Sequence, residues 1–419
     1  MLAVGSYTGR IRVWDVYKNK MLWEKSVAEG MVKRVDFSPD GKTVYFAEQS
    51  TDGFVYSADA STGNIRWRFR TADDLQSGRP APKDKPYEIY SLPGCYRLKV
   101  LDDGDVLVLG IHAWGDDPMM NRSQRLSRVY RFTPKGKIRW AYPKDGPLPM
   151  TVIYMDAADD GNKIALLVTQ RDAQVETAPF PEGTMVVLDG ADGTPNRQYT
   201  FSPLKPYFED VGFWESISVN PAGTAAAVGM RDGRTFLFDL VHRSEPTTFS
   251  FGAPILISGV PVSASATYTH LAADSIAYFQ TGQSSVPYAS TMSHVVAPPG
   301  PHPGAQMLTA VGRDKTPIWR YRSGHSFQNF WTDNTGRYLL TSVFRDDERL
   351  GWESGAMLFD THRPGGGTAK LIYFYGVEGK THYHADIAED GSAFALVETP
   401  YRDPKTNRLI GEYAVHIVR

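Results

Sequence analysis

The sequence predicts an all-β chain built from one repeated four-stranded unit, and three observations carry that expectation. Hydrophobic residues alternate at period two in many short runs, as in Phe54, Tyr56, Ile65, Trp67 and Phe69, so that each strand has one face to bury. A hairpin signature recurs in which a strand ends in Asp, a tight turn follows, and a Trp lies on the returning strand. A second hairpin signature, apolar run, polar turn with Gly, apolar run, recurs with it at a long period.

The first signature is clearest at FVYSADASTGNIRWRFR, where Asp59 precedes Trp67 by eight positions and Gly63 supplies the permissive backbone of the turn. It returns at Asp15 and Trp23, at Thr133 and Trp140, and more loosely in the run that ends at Trp319. Strand ends without the Trp are Asp189, Asp239 and Asp360. The second signature is read at VDFSPDGKTVYFA, LKVLDDGDVLVLG, MDAADDGNKIALLV, ISVNPAGTAAAVG, FWTDNTGRYLLTS and ADIAEDGSAFALV. Its turn glycines are Gly41, Gly104, Gly161, Gly223, Gly336 and Gly391, with a degenerate member near Asp274 and Ser275, at spacings of about 52 to 63 residues. That period is one four-stranded blade with its loops.

The Asp, Thr-Gly, Trp hairpin resembles the repeat of the quinoprotein (PQQ-like) β-propellers. The SPDGKTVYFA hairpin, with VWD at Trp14 and Asp15, resembles the WD-repeat group. The resemblance spans nearly the whole chain and implies a β-propeller; it leaves function open, because propellers host scaffolds and enzymes alike. In the quinoprotein family the repeated Trp is a packing residue between blades, which assigns that role to Trp23, Trp67, Trp140 and Trp319. The PQQ-dependent alcohol dehydrogenases of that family stack their cofactor on a disulfide and use Ca²⁺. A single cysteine, Cys95, cannot form that ring, so the resemblance implies the fold without the quinone site.

The expected single propeller domain has eight blades, at about 1–28, 32–71, 90–143, 150–202, 212–250, 257–322, 326–376 and 381–419; seven with one irregular blade is the alternative count. Strands within a blade are lettered a to d from the inside outward. The first blade lacks its innermost strand a, and the last lacks its outer strand d. An upstream segment of roughly 20 residues would supply both, and a leader or lipid anchor in such a segment is expected to be invisible here.

Composition narrows the partners. Asp and Glu total 47 against 45 Lys and Arg, a net charge of −2, and no basic stripe exists to neutralise a run of phosphates, which argues against nucleic acid. No apolar run reaches the roughly 20 residues of a membrane helix. Cysteine scarcity suits an oxidising compartment, and by family analogy a periplasmic or extracellular location is expected.

Loop lengths place the expected site. The a–b turns are uniformly short, whereas the b–c connections are long: HAWGDDPMMNRSQRLS, TQRDAQVETAPFPEG, TGQSSVPYASTMSHVVAPPGPHPGAQ, FRDDERLGWESG and ETPYRDPKTNRLIG. Long loops with aromatics on a rigid scaffold are where binding is expected. Trp114, Met119, Met120, Trp352 and Tyr401 lie in these loops, and Tyr87, Tyr90, Phe208 and Trp214 in the d–a connections, as anchors for a protein partner. The competing reading packs them onto one another.

His325, His382 and His384 begin the innermost strands of adjacent blades. Spacing of two would put His382 and His384 on one side, and with His325 they could offer three imidazoles to a transition metal at the channel mouth. Acidic groups at Glu209, Asp210 and Glu215, at Asp116 and Asp117, and at Asp346, Asp347 and Glu348 could serve as acid and base, or bind Ca²⁺. No catalytic constellation is complete. The sequence therefore favours a non-catalytic binding platform without cofactor, a scaffold or subunit of a larger assembly, a multisubunit redox enzyme being one such assembly. A metal- or quinone-dependent oxidoreductase is the alternative.

Overall fold

The computed structural model describes residues 1–27, 29–81, 83–115, 123–214, 216–287, 297–347, 351–361 and 371–419; for Pro86, Asp346, Asp347, Trp352, His382 and Tyr383 the description is of the backbone. It is nearly all β, as the repeats predict, and falls into two compact units, Met1–Ser202 and Pro203–Arg419.

In the first unit, a three-stranded sheet (Leu2–Gly5, Arg10–Asp15, Lys20–Ser26) precedes two four-stranded antiparallel meanders. These are Met31–Phe37, Thr43–Gln49, Phe54–Asp59, Ile65–Arg70, and Gly94–Val100, Val106–Trp114, Gln124–Phe132, Ile138–Tyr142. A single pairing, Gln49 with Gly94, joins the two meanders. A fourth sheet runs Met150–Ala157, Lys163–Arg171, Thr184–Asp189, Pro195–Thr200.

The second unit opens with Ile217–Val219, Ala225–Gly229, Thr235–Asp239 and Thr247–Phe249. It continues with a five-stranded sheet (Ile255–Ile257, Val260–Leu271, Ala277–Ser285, Met307–Val311, Pro317–Arg322) and a four-stranded one (Ser326–Thr332, Tyr338–Asp347, Gly351–Asp360, Leu371–Val377). It ends with three strands, Lys380–Ile387, Phe394–Thr399 and Ala414–Val418. The expected a–b–c–d order is thus met in six sheets, and the two terminal sheets have three strands each.

The turn chemistry explains the repeats. In all seven a–b turns the fourth residue donates its N–H back to the first residue's carbonyl, as Gly41 does to Ser38 at 2.8 Å, and that residue has positive φ. Ser275 takes this left-handed position with φ 65°, which accounts for the degenerate member. The recurrent Asp caps the c–d turn: Asp59 Oδ1 accepts the N–H groups of Ser61 and Thr62 at 3.0 Å, and Asp15 and Asp239 do the same in their turns.

The core lies between neighbouring sheets of each unit. Leu107, Leu109 and Val129 pack on Met155, Ile164 and Leu166, and Tyr278 and Trp319 pack with Phe327, Leu339 and Phe359. The repeated Trp closes these seams. Trp23, Trp67 and Trp140 each donate the indole N–H, at 2.9 Å, to a carbonyl of the next sheet's c–d turn, those of Ala60, Pro134 and Gly190. Each ring lies on that turn's glycine: a Cβ at Gly63 would meet Trp23 at 2.7 Å, and at Gly136 it would meet Trp67 at 2.6 Å. Turn conformation and packing therefore both demand glycine there.

Two sequence expectations change. Most of FRDDERLGWESG is ladder, since pairing continues from Phe344 with Ser354 out to Asp347 with Gly351. Long excursions that pair with themselves satisfy their own backbone groups. The unit expected to begin at 257 also gains an added strand, Ile255–Ile257.

Candidate interaction surfaces

The sequence-predicted anchors occupy different settings. In the first unit, Trp114 ends its strand half-buried and stacks on His112 with ring centres 4.0 Å apart. Tyr90 sits on a short 3₁₀ turn, Pro86–Ser91, edge-on to Tyr7 at 6.4 Å, and their hydroxyls are hydrogen-bonded. Tyr7 and Tyr87 stay exposed. Lys33 lies beside them, its ammonium 3.4 Å from the Tyr96 ring centre and bonded to Gln49 at 2.9 Å. This is an aromatic surface whose cation is already supplied.

In the second unit, Trp214 is 50% exposed beneath the Arg231 guanidinium at 5.7 Å. Tyr401 is half-buried in the small ribbon of Tyr401–Arg402 with Leu409–Ile410, near the Lys380 ammonium. Met119, Met120 and the side chain of Trp352 lie outside the described residues.

The histidines do not present free ligands together. His325 is buried, with Nδ1 against Ser323 Oγ and Nε2 against Glu353 Oε2, both at 2.9 Å, and Arg345 holds the same carboxylate at 2.8 Å. Burial lowers the pKa of this imidazole, against the pull of Glu353. A metal at His325 would have to displace one of these partners. The strand bearing His382 and His384 shifts register between Thr381 and Ala385, so the alternation that would put both on one side is interrupted. His384 is exposed, and the His382 side chain lies outside the described residues. Among the described residues no group of three His, Cys, Asp or Glu is placed to hold a metal ion.

The predicted acidic groups do not form a described pair. Glu209 is exposed and salt-bridged to Lys205. Asp116, Asp117, Glu215, Glu348 and the side chains of Asp346 and Asp347 are outside the described residues. Cys95 is wholly buried, its thiol pushed up to about 12 by burial.

Two features escape the motif search. The first is polar. At four of the seven a–b turns the residue five positions before the left-handed turn residue reaches from its inner strand to the next one. Asp36 accepts the Val100 N–H at 2.8 Å, Lys99 bonds the Ala157 carbonyl, Ser218 accepts the Leu271 N–H at 3.1 Å, and His270 meets Thr332 Oγ1 at 2.8 Å. The varied residue types hide this shared task.

The second is apolar. From Pro246 to Ala273 and from Ser275 to Gly312 the sequence holds no Asp, Glu, Lys or Arg, leaving Asp274 as the one such residue in the span. Within it, Ile255–Ile257 and the first residues of Val260–Leu271 form a hairpin with Leu256 66% and Ile255 40% exposed. The Pro-rich run is tied beside it: buried His302 bonds the Ala253 carbonyl through Nε2 at 2.9 Å and accepts the Gly304 N–H through Nδ1 at 2.9 Å. Pro299, Pro301 and Pro303 remain exposed. The missing charge was visible in the sequence; the exposure was not.

No protein-family model matches the sequence, and no curated protein matches it. Among solved structures, the C-terminal WD40 domain of Sif2 is similar with a TM-score of 0.57 and 10% identity, covering 100% of this chain and 92% of that one. BamB from Moraxella catarrhalis is similar with a TM-score of 0.51 and 15% identity, covering 94% and 90%. At these identities the likeness is one of fold, and the chain is a β-propeller.

Proposed function

We propose that this β-propeller is a non-catalytic binding platform, a scaffold or subunit of a larger assembly, that engages protein partners through the ends of its sheets bearing the long connections. The observation that carries the reading is the charge-depleted span with its exposed apolar hairpin. Charge depletion with exposed aliphatic side chains is the composition of an interface core, and a solvated surface of that kind is disfavoured. Exposed Trp214, Tyr7 and Tyr87 add aromatic anchors of the type that dominates binding energy. A periplasmic or extracellular location belongs to the same reading, since a chain with one cysteine suits an oxidising compartment.

Affinity purification of the full chain from its native host after crosslinking tests this. Partners identified by mass spectrometry are expected with wild type and are expected to diminish with Leu256→Asp or Trp214→Ala. Recovery of no partner that responds to either substitution refutes the platform reading. A stoichiometric metal or a visible chromophore in the same preparation would instead favour an oxidoreductase.

A further inference from the structure

Tyr7 and Tyr90 lie 83 positions apart in sequence, yet their hydroxyls are hydrogen-bonded and their rings meet edge-on with centres 6.4 Å apart. Each ring is held by its own backbone. Tyr7 sits in the tight connection between Leu2–Gly5 and Arg10–Asp15, where Ser6 gives its N–H to the Arg10 carbonyl at 2.9 Å and takes the Val32 N–H on its own carbonyl at 2.9 Å. Tyr90 sits on the 3₁₀ turn and packs against the cluster of Met31, Ile89 and Leu92, and its carbonyl accepts the Tyr96 hydroxyl at 3.5 Å. The fold, not sequence proximity, pairs the two phenols. Tyr7 is 59% exposed, so a reagent in solution reaches the pair.

The hydroxyl contact sets this pair apart. An ortho carbon adjoins the ring carbon that bears the oxygen, so touching hydroxyls bring the ortho carbons of the two rings within reach of each other. Tyr373 and Tyr375 have nearly the same ring separation, 6.5 Å, but the Tyr375 hydroxyl is engaged by His416 Nδ1 at 3.1 Å. A disulfide is closed to this chain, which has one cysteine, wholly buried, against 22 tyrosines. Phenol coupling is the covalent link that oxidation leaves it.

We propose that Tyr7 and Tyr90 are a site of oxidative crosslinking, joined ortho carbon to ortho carbon when a haem peroxidase consumes hydrogen peroxide. The peroxide takes one electron and one proton from each phenol and leaves as two waters. The two phenoxyl radicals, already in place, couple through one new carbon–carbon bond. Each ring then passes its ortho hydrogen to its own oxygen, so the product keeps both hydroxyls and has lost two hydrogens in all. The bond closes a loop of 83 positions in the unfolded chain and thereby stabilises the folded one, as a disulfide does. It also ties the turn carrying exposed Tyr87 to the first sheet, which stiffens the aromatic surface before any partner arrives.

The test treats the full chain, dilute enough that collisions between chains are rare, with a plant haem peroxidase and hydrogen peroxide under conditions that couple free tyrosine. Mass spectrometry of the digest is expected to find Tyr7 joined to Tyr90 in peptides two hydrogens lighter than their sum, with the blue emission of dityrosine on a single chain. Tyr7→Phe and Tyr90→Phe are each expected to lower that emission about tenfold, because either one removes a partner that the fold holds in place. Tyr87→Phe is expected to keep it. The crosslinked chain is expected to melt at a higher temperature than the untreated one. A chain without the Tyr7–Tyr90 link under these conditions overturns the proposal, as does an equal yield from the urea-unfolded chain. Coupling of Tyr7 to Tyr87, or of two chains through exposed Tyr17 or Tyr413, in place of that link overturns it too. A crosslinked chain that melts no higher overturns the stabilising role.

Discussion

The inner strands of the first unit and the span from Pro246 to Gly312 in the second solve the same structural problem with opposite chemistry. In the first unit, Asp36, Arg97, Lys99 and Asp156 crowd the innermost strands, and a deeper cluster joins Asp105, wholly buried, to Arg131 at 2.7 Å and to Arg139. Arg131 also bonds Asp103 and the Gly190 carbonyl, tying one sheet to the next. In the second unit, Ser218 and His270 form the equivalent links with neutral groups. Both chemistries join neighbouring strands. Only the neutral one leaves a surface that can be buried again without stripping water from an ion.

The comparison breaks most severely at Asp105. Asp105→Ala removes one of the two carboxylates that hold buried Arg131 and leaves Asp103 as the other, and a loss of about 2–3 kcal/mol in unfolding free energy is expected by denaturant titration. A loss below about 1 kcal/mol would show that the charged seam is no more demanding than the neutral one.

Asp36 sharpens the comparison through pH. Burial raises its carboxyl to about 6, against the opposing pull of the Val100 and Phe37 N–H groups. The folded state therefore holds a proton that the unfolded chain has released between about pH 4 and 6, so stability contributed at this site falls as pH rises through that window. The residue keeps some exposure, so solvent screening leaves an expected slope totalling about 1–2 kcal/mol, absent in Asp36→Asn. His325 has the opposite sign: its lowered pKa means that stability is lost as pH falls below about 6.5, and His325→Gln should flatten that limb. Matched melts from pH 4 to 8 check both slopes.

Smaller effects belong to the neutral span. Ser275→Gly relieves a left-handed serine at the degenerate turn and is expected to raise stability by about 0.5 kcal/mol, less whatever the contact from Asn220 contributes. Leu256→Asp is expected to change unfolding free energy by less than about 0.5 kcal/mol, because the side chain is already in water. A large destabilisation there would make Leu256 a core residue and remove the basis for docking.

The repeat was legible because its causes are local. Asp59, Gly63 and Trp67 recur at fixed offsets since an Asx cap, a left-handed turn residue and a ring packed on the next turn each act over a few positions. The a–b glycines announce themselves for the same reason. Even the scarcity of charge from 246 to 312, where Asp274 stands alone, needs no coordinates. What the tertiary structure decided is which side chains end up facing one another. Sequence spacing could not see that the pleat carrying His382 and His384 is interrupted, or that His325 is engaged by Ser323 and Glu353. Nor could it show that His302 pins a proline run beside an exposed Leu256, because those pairings join residues 28 and 49 positions apart in sequence. Local periodicity fixes strands and turns; burial and partnership are set by the packing of one sheet on the next.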